Sequence, residues 1–271
     1  MSKRLQLHEN NKSFSWSIPE GPYSFFSDEE ITCFNENGYV VVEEAFSPEE
    51  VESVINQIDP YEYNVTEALK GLDGGKFFIS RAEEITFTTH LVTQSDDLKN
   101  FSKHKVFGDI CKDLIGPDVR LYWDQAVYKK PGTKDEFPWH QDNGYTFIEP
   151  QAYLTCWVAL TDTDETNGCP CVVPGLHRNG TLHHETTDLG YEIPLDAAES
   201  ITLPLKAGSI AVFSSLTPHR TGPNLSKGIR KSYILQYAPE GAKRLISHTL
   251  TEDVNDESRQ YFILKDGLTQ G

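Results

Sequence analysis

From Val119 onward the sequence is a series of short β-branched and aromatic segments, and this series constrains the fold more than any other feature. Clusters of Gly, Pro, Asn and Asp separate the segments, which read VRLYWDQAVYKK, YLTCWVAL, CPCVVPG, ESITLPL, GSIAVFSS and RKSYILQYA. Many short strands with turn signals between them are typical of a β-sandwich or barrel of the jelly-roll type. We therefore predict a mainly β protein with a jelly-roll core.

The N-terminal part has helical signals instead. Two capping boxes, Ser27 with Glu30 and Ser47 with Glu50, each precede a segment that favours a helix. A further helix is predicted at residues 98–115. Because these segments come before the β-rich part, we expect the helices to pack on the outside of the β core.

The chain of 271 residues has no linker-like segment and no internal repeat. Sheet-based folds of this length are often a single domain. We therefore predict one domain over 1–271, and we divide it by the character of the sequence. The divisions are a polar lead-in (1–24), a largely helical flank (25–118), the jelly-roll core (119–240) and a C-terminal tail (241–271).

Charge and composition exclude several classes of partner. The 24 Lys and Arg residues against 41 Asp and Glu give a formal net charge of −17. Such a surface repels phosphate backbones and anionic lipid, so we expect no nucleic acid and no membrane partner. No secretory signal or membrane-spanning run is evident, and five scattered cysteines do not form a disulfide framework. We expect a cytoplasmic protein that acts on a small-molecule substrate as a monomer or homodimer.

The segment FPWHQDNGY is the strongest candidate for a metal site. If it is a strand, His140 and Asp142 project side by side, while Gln141 points to the other face. A third ligand is available in His219, which follows the apolar strand segment AVFSS. Two histidines and one carboxylate leave open positions on a ferrous ion for a bidentate co-substrate and for dioxygen.

Arg230 is the candidate anchor for that co-substrate. It lies eleven residues after His219, at the start of another predicted strand. The planar guanidinium group binds a carboxylate through two parallel hydrogen bonds, which a lysine side chain cannot do.

With these residues in place, the sequence resembles the phytanoyl-CoA dioxygenase family of Fe(II)/2-oxoglutarate oxygenases. The resemblance rests on the H-Q-D motif, the distant histidine and the arginine eleven residues later. It also rests on the Trp, Asn-Gly-Cys and Pro-Gly-x-His of TCWVALTDTDETNGCPCVVPGLHR, and it extends over about residues 25 to 240. The family implies a double-stranded β-helix (jelly-roll, cupin-like) core.

The resemblance also implies roles for individual residues. His140, Asp142 and His219 match the iron ligands, and Arg230 matches the residue that binds the distal carboxylate of 2-oxoglutarate. Three further positions match a hydroxyl that assists the arginine, a tryptophan that lines the co-substrate, and a polar residue that reaches the same pocket; these are Thr221, Trp157 and Gln125. At the position that we align with His90, the family often has a lysine, so one co-substrate contact is expected to differ here.

The implied reaction uses Fe(II), 2-oxoglutarate and O2. It oxidises an unactivated C–H bond of a small organic substrate to the alcohol and releases succinate and CO2. Family members and relatives that halogenate lack the carboxylate ligand, so Asp142 favours hydroxylation. The substrate, either a CoA thioester or a free small molecule, stays open. An oxygenase with another outcome at the same site (desaturation, epimerisation or halogenation) is a further alternative, and Asp142 argues only against halogenation.

Two other hypotheses are compatible with parts of this sequence. A catalytically silent, cupin-like protein could use the same pocket to bind a metabolite. A zinc site could be formed from Cys169, Cys171, His177, His183 and His184, although their spacing does not follow the usual paired pattern. We otherwise expect His177 and Arg178 near the substrate entrance, and the HHE segment at 183–185 in a covering or solvated loop.

Overall fold

The computed structural model describes residues 5–195, 197–247 and 249–270. The α-helices of this part of the chain are α1 (Asp28–Asn37), α2 (Pro48–Lys70), α3 (Asp96–Ser102), α4 (Lys105–Leu114) and the single turn α5 (Asp142–Tyr145). Short 3₁₀ turns lie at Asp73–Gly75, Leu91–Thr93 and Leu176–Asn179.

The strands of the described residues are distributed along the chain from Tyr39 to Thr269. In order they are β1 (Tyr39–Val42), β2 (Lys76–Phe77), β3 (Ser80–Arg81), β4 (Ile85–Thr89), β5 (Val119–Lys129), β6 (Phe137–His140), β7 (Ile148–Glu149), β8 (Leu154–Ala159), β9 (Pro170–Val172), β10 (Glu185–Thr187), β11 (Gly190–Glu192), β12 (Ile201–Thr202), β13 (Ile210–Ser214), β14 (His219–Thr221), β15 (Arg230–Pro239), β16 (Lys243–Leu245), β17 (Thr251–Asp253), β18 (Phe262–Lys265) and β19 (Leu268–Thr269).

Two antiparallel sheets form the core. The large sheet has the order β1-β13-β8-β15-β5-β4-β3-β2, with β18 paired to β5 and to β19. The small sheet has the order β12-β9-β14-β6. Apolar side chains from both sheets, among them Trp157, Phe213 and Val172, form one buried cluster. This is the predicted jelly roll, with its interior between the two sheets.

Alternation along β5 and β15 determines which side chains enter that interior. On β15, Tyr233 and Leu235 join the cluster that packs against the helices, whereas Ile234 joins the cluster between the sheets. Successive side chains of a strand point to opposite faces. Arg230 lies four positions before Ile234 on the same strand, so it also points into the jelly roll, and it is buried.

The helices cover the outer face of the large sheet, as expected. Val54 and Ile58 of α2 and Phe107 and Ile110 of α4 are buried in the cluster that contains the outward side chains of β5 and β15. Both predicted capping boxes are present, at the N-termini of α1 and α2. The same N-terminal region also contributes β1–β4 to the large sheet.

The single helix predicted at 98–115 is wrong, because the structure has two helices there. The first, α3, ends at Ser102, and the second, α4, begins at Lys105. The ring Nδ1 of His104 accepts a hydrogen bond from the backbone N–H of Val106 and so caps the second helix. None of the described helices is both long and apolar enough to cross a bilayer.

Candidate metal and co-substrate site

The two predicted histidine ligands face each other across the small sheet. His140 is the last residue of β6, His219 is the first residue of β14, and the two are register partners. Their ring centroids are 4.1 Å apart. Each Nδ1 lies near a backbone carbonyl, Pro138 O at 2.8 Å for His140 and Thr217 O at 3.0 Å for His219. An N–H at Nδ1 leaves the lone pair of each Nε2 free to bind a metal.

Asp142 completes the cluster, but not in the way predicted from strand alternation. The strand ends at His140, and Asp142 is the first residue of the helical turn α5. This turn places Asp142 Oδ1 3.8 Å from Nε2 of His140 and 3.8 Å from Nε2 of His219. The three candidate ligand atoms lie within 4.8 Å of one another, and no other described residues form such a group.

Gln141, between two of the ligands, is fixed by four hydrogen bonds. Its side-chain amide donates to the carbonyls of Gly180, at 3.0 Å, and Leu216. Its side-chain oxygen accepts from the backbone N–H of Leu182, and its own backbone N–H donates to Nε2 of His184 at 2.9 Å. The turn that presents the carboxylate is therefore rigid. His184, expected in a covering or solvated loop, is instead part of its support.

Burial sets the protonation of the cluster. It lowers the pKa of His140 to about 3, with help from the neighbouring His219, and the pKa of His219 to about 4. Burial raises the pKa of Asp142, while the neighbouring His140 and a hydrogen bond from the hydroxyl of Thr155 act to lower it. Thr155 donates to Oδ2 of the carboxylate and accepts from the amide of Gln236. The imidazoles are thus neutral, the form that binds metal.

Arg230 and Lys129 form a second polar cluster in the interior. Both side chains are about 1% exposed, and the two residues are register partners on β15 and β5. One guanidinium nitrogen of Arg230 donates to Ser232 Oγ at 2.8 Å, whereas Nε and Nη2 have no partner among the described residues. Lys129 Nζ donates to Gly222 O at 2.6 Å.

No described carboxylate forms an ion pair with either cation of this cluster. Burial lowers the pKa of Arg230 to about 10, and burial together with Arg230 lowers the pKa of Lys129 to about 7. Burying unpaired cations is unfavourable unless an anion compensates them. The pair therefore has the chemistry of an anion-binding site.

The remaining predicted site residues fall into two groups. Trp157 lies beside Arg230, whose Cζ is 5.2 Å from the indole centroid. Thr221 is buried and lies 3.4 Å from Lys129 Nζ; no hydrogen bond joins it to Arg230 in the described chain. Gln125 lines a cavity of about 520 Å³ together with His140 and Asp142. The predicted set thus divides between the metal cluster and the cation pair.

The altered co-substrate contact expected at His90 stays a prediction, whereas the expectations for His177, Arg178 and a zinc site are not met. His90 packs against Trp123, with ring centroids 4.3 Å apart, and burial lowers its pKa. His177 is buried beside Trp16, and Arg178 donates to the carbonyl of Asn35 at the end of α1, so neither lies at the substrate entrance. Buried Cys169 and Cys171 join no candidate metal cluster in the described chain, which gives the zinc hypothesis no support.

The roles of three residues in the site were not predicted from the sequence, although His184 was named there as a possible zinc ligand or loop residue. Lys129 could have been found, because strand alternation in VYKK turns one of its two lysines inward. Thr155 and His184 gave no signal, since each acts through a contact between segments that are distant in the chain.

Comparison with known proteins agrees with this architecture. The profile of the family "Phytanoyl-CoA dioxygenase (PhyH)" matches residues 34–232. "Phytanoyl-CoA dioxygenase 1" of Oryza sativa subsp. japonica is 26% identical over 250 residues, which cover 76% of this chain and 86% of the relative.

Among solved structures, the carbocyclase SnoK from nogalamycin biosynthesis has a TM-score of 0.66 at 22% identity, covering 84% of this chain and 91% of its own. EctD from S. alaskensis, solved with 2-oxoglutarate and 5-hydroxyectoine, has a TM-score of 0.65 at 19% identity, covering 88% and 86%.

The jelly-roll core and the His-Asp-His cluster define a 2-oxoglutarate-dependent dioxygenase, an oxidoreductase. The chain belongs to the phytanoyl-CoA dioxygenase family, whose profile covers most of its length.

Proposed function

We propose that the protein is an Fe(II)/2-oxoglutarate-dependent hydroxylase that oxidises an unactivated C–H bond of a small organic substrate and releases succinate and CO2. The observation that carries this proposal is the presence, in one jelly-roll interior, of the His140-Asp142-His219 cluster and of the unpaired Arg230. The first suits a metal ion with open coordination positions, and the second suits a carboxylate.

The donor set fits Fe(II). Two neutral imidazole nitrogens and one carboxylate oxygen are the ligands of the facial triad that non-haem iron oxygenases use. Burial keeps both imidazoles neutral at physiological pH, and Thr155 orients the carboxylate of Asp142. When bound, the iron would supply the redox chemistry that couples oxidation of 2-oxoglutarate by O2 to oxidation of the substrate.

Arg230 and Lys129 would bind the distal carboxylate of 2-oxoglutarate. The free Nε and Nη2 of Arg230 offer two donors in a fork, and Lys129 adds a second positive charge beside it. Trp157 would line the co-substrate next to the guanidinium group, and Thr221 would assist through Lys129. Gln125, on the cavity wall with two of the ligands, would face the bound molecules.

Similar proteins support this assignment. EctD was solved with 2-oxoglutarate together with 5-hydroxyectoine, and the epimerase SnoN with Fe3+ and α-ketoglutarate. SnoK is described as a carbocyclase, so proteins with this fold differ in the outcome of the oxidation. The carboxylate ligand Asp142 argues against halogenation, and hydroxylation is the outcome that we propose here.

Anaerobic loading with Fe(II) and 2-oxoglutarate tests the proposal. We expect a visible charge-transfer band in the wild-type protein, loss of the band in His219→Ala, and succinate on admission of oxygen. A protein that gives the band but forms no succinate with any substrate would instead be the catalytically silent metabolite-binding protein. Absence of the band, with 2-oxoglutarate affinity equal to that of Arg230→Ala, would disprove the assignment.

A further inference from the structure

The cavity beside the metal cluster is aromatic and nearly uncharged. Half of the described residues that line its volume of about 520 Å³ are aromatic. Of the described residues that line it, only Asp142, Arg244 and the neutral His140 are acidic or basic, and Asp142 and His140 belong to the metal cluster. Arg244 therefore provides the single cation among the described residues of the cavity wall. Such a cavity favours an apolar ligand with few charges.

Two hairpins from distant parts of the sequence, β2–β3 and β10–β11, close over this cavity. Phe78, in the turn between β2 and β3, lies 6.3 Å from the ring of Tyr191 on β11. A Cβ on Gly190 would lie 2.5 Å from the hydroxyl oxygen of Tyr145 and 2.9 Å from Ile79. A glycine is therefore needed for the two hairpins to approach so closely.

The tip of the first hairpin exposes aromatic surface toward the entrance. Phe77 is 71% exposed and Phe78 is 59% exposed, although both line the cavity. Phe78 also has a φ of +51°, a backbone conformation that is unfavourable for a bulky side chain. Adjacent exposed aromatic residues at a cavity entrance, one of them in a strained conformation, indicate a ligand-binding role.

We propose that the substrate is a compact, ring-containing carboxylic acid. This rests on the proposed function and names its substrate class. The ring would lie among aromatic side chains of the two hairpins, Phe78 and Tyr191 in particular, because stacked aromatic groups attract each other. The carboxylate would bind Arg244.

Arg244 is available for this role. Its described ion-pair partner, Glu252, has a side chain that is 52% exposed. An exposed ion pair contributes little, so a buried ligand carboxylate can replace Glu252. A CoA diphosphate would require more cations than the wall provides, and a small dianion such as methylphosphonate would leave the aromatic surface unfilled.

Three probes distinguish these possibilities: 3-phenylpropionate, its uncharged amide 3-phenylpropionamide, and methylphosphonate. Binding is measured from the shift of the charge-transfer band in protein loaded anaerobically with Fe(II) and 2-oxoglutarate. It is also measured by calorimetry on the metal-free protein. We expect the carboxylate to bind about tenfold more tightly than either other probe, as one charge-assisted hydrogen bond permits.

Variants assign the contacts. Arg244→Gln should remove the preference for the acid over the amide, and Phe78→Ala should weaken both by about fivefold through loss of ring contact. Tyr63→Ala removes an aromatic side chain of similar exposure that lies outside the cavity, and it should change nothing.

Tighter binding of methylphosphonate, or equal binding of acid and amide to the wild type, would overturn the substrate class. Unchanged affinity in Phe78→Ala would also overturn it. Failure of the proposed function looks different: no charge-transfer band forms, while calorimetry on the metal-free protein still shows whether the aromatic acid binds.

Discussion

Lys129 lies directly across the β5–β15 ladder from Arg230, and both cationic side chains are buried between the two sheets. Like charges directly opposite each other on one face of a sheet repel. No carboxylate of the described residues forms an ion pair with either cation. A bound dicarboxylate would relieve the repulsion between Lys129 and Arg230. The proposed co-substrate, 2-oxoglutarate, would therefore stabilise the folded protein at this pair.

Removal of either cation should weaken 2-oxoglutarate binding. We expect Arg230→Gln to raise the dissociation constant by roughly 10- to 100-fold, since a buried charge-assisted contact is lost, and Lys129→Met by about tenfold. Titration of the charge-transfer band measures both. The matched control is Lys231→Met: Lys231 is adjacent on β15, points to the other face and pairs with Asp59 at 2.7 Å. Equal weakening in the control would show a nonspecific effect.

The affinity for 2-oxoglutarate should depend on pH through Lys129. Its pKa is lowered to about 7 by burial and by Arg230, while Glu136 and Asp135 oppose the shift. Bound 2-oxoglutarate is an anion and favours the charged form of Lys129. Above this pKa, binding must therefore be accompanied by protonation of Lys129, so the affinity for 2-oxoglutarate should fall as the pH rises from 7 to about 9. Lys129→Met should give a flat profile over this range. A flat wild-type profile would contradict a role of Lys129 in binding.

The same substitution should have the opposite effect on the ligand-free protein. A buried unpaired charge is unfavourable, so Lys129→Met should raise the melting temperature. The lowered folded pKa means that the unfolded state binds more protons between about pH 7 and 10.5. The charged Lys129 therefore destabilises the folded wild type fully below pH 7 and less above it. The gain in stability from Lys129→Met should shrink as the pH rises above 7. Thermal melts at several pH values, without 2-oxoglutarate, measure this.

Thr155→Val should weaken metal binding while the three ligands stay in place. The hydroxyl donates to Oδ2 of Asp142, and loss of such a supporting hydrogen bond typically costs about tenfold or more in metal affinity. Competition with a chelator gives the dissociation constant. Thr88→Val is the control, because the buried hydroxyl of Thr88 has no partner in the described structure. Equal metal affinity in both variants would argue against this role for Thr155.

Gly144→Ala should destabilise the turn that holds Asp142. The added Cβ would lie 2.0 Å from the ring of His184, which accepts the backbone hydrogen bond of Gln141. Overpacking of this kind costs roughly 1–3 kcal/mol, so we expect a melting temperature lower by several degrees and weaker metal binding. Gly228→Ala should change neither, because no atom of the described residues lies within 4 Å of the added Cβ and φ is not positive.

The general architecture could be predicted from the sequence because it follows from local patterns. Short β-branched and aromatic segments separated by turn residues predicted the jelly roll, and capping boxes predicted the starts of α1 and α2. The convergence of His140 and His219 was predicted from the ligand chemistry of the two segments, and the family resemblance supported it. Asp142 was placed on the wrong element, since alternation describes a continuing strand and cannot show that the strand ends at His140.

Residues whose role depends on a distant segment could not be predicted in this way. The ring of His177 packs under the end of α1 because Trp16 and Asn35 are there, and nothing near His177 in the sequence reports those neighbours. The contact between Phe78 and Tyr191 in the two cavity hairpins likewise depends on packing between segments that are distant in the sequence.

The four hydrogen bonds of Gln141 have a consequence for preparing the protein. They are made by protein groups alone, so the ligand-bearing turn keeps its shape without an ion. Chelation should therefore strip the metal and leave a folded polypeptide that can be reconstituted with Fe(II), or with a redox-inactive divalent substitute for crystallography in air. The metal would bind reversibly to a preformed site, in contrast to small domains that fold only when their ion is bound.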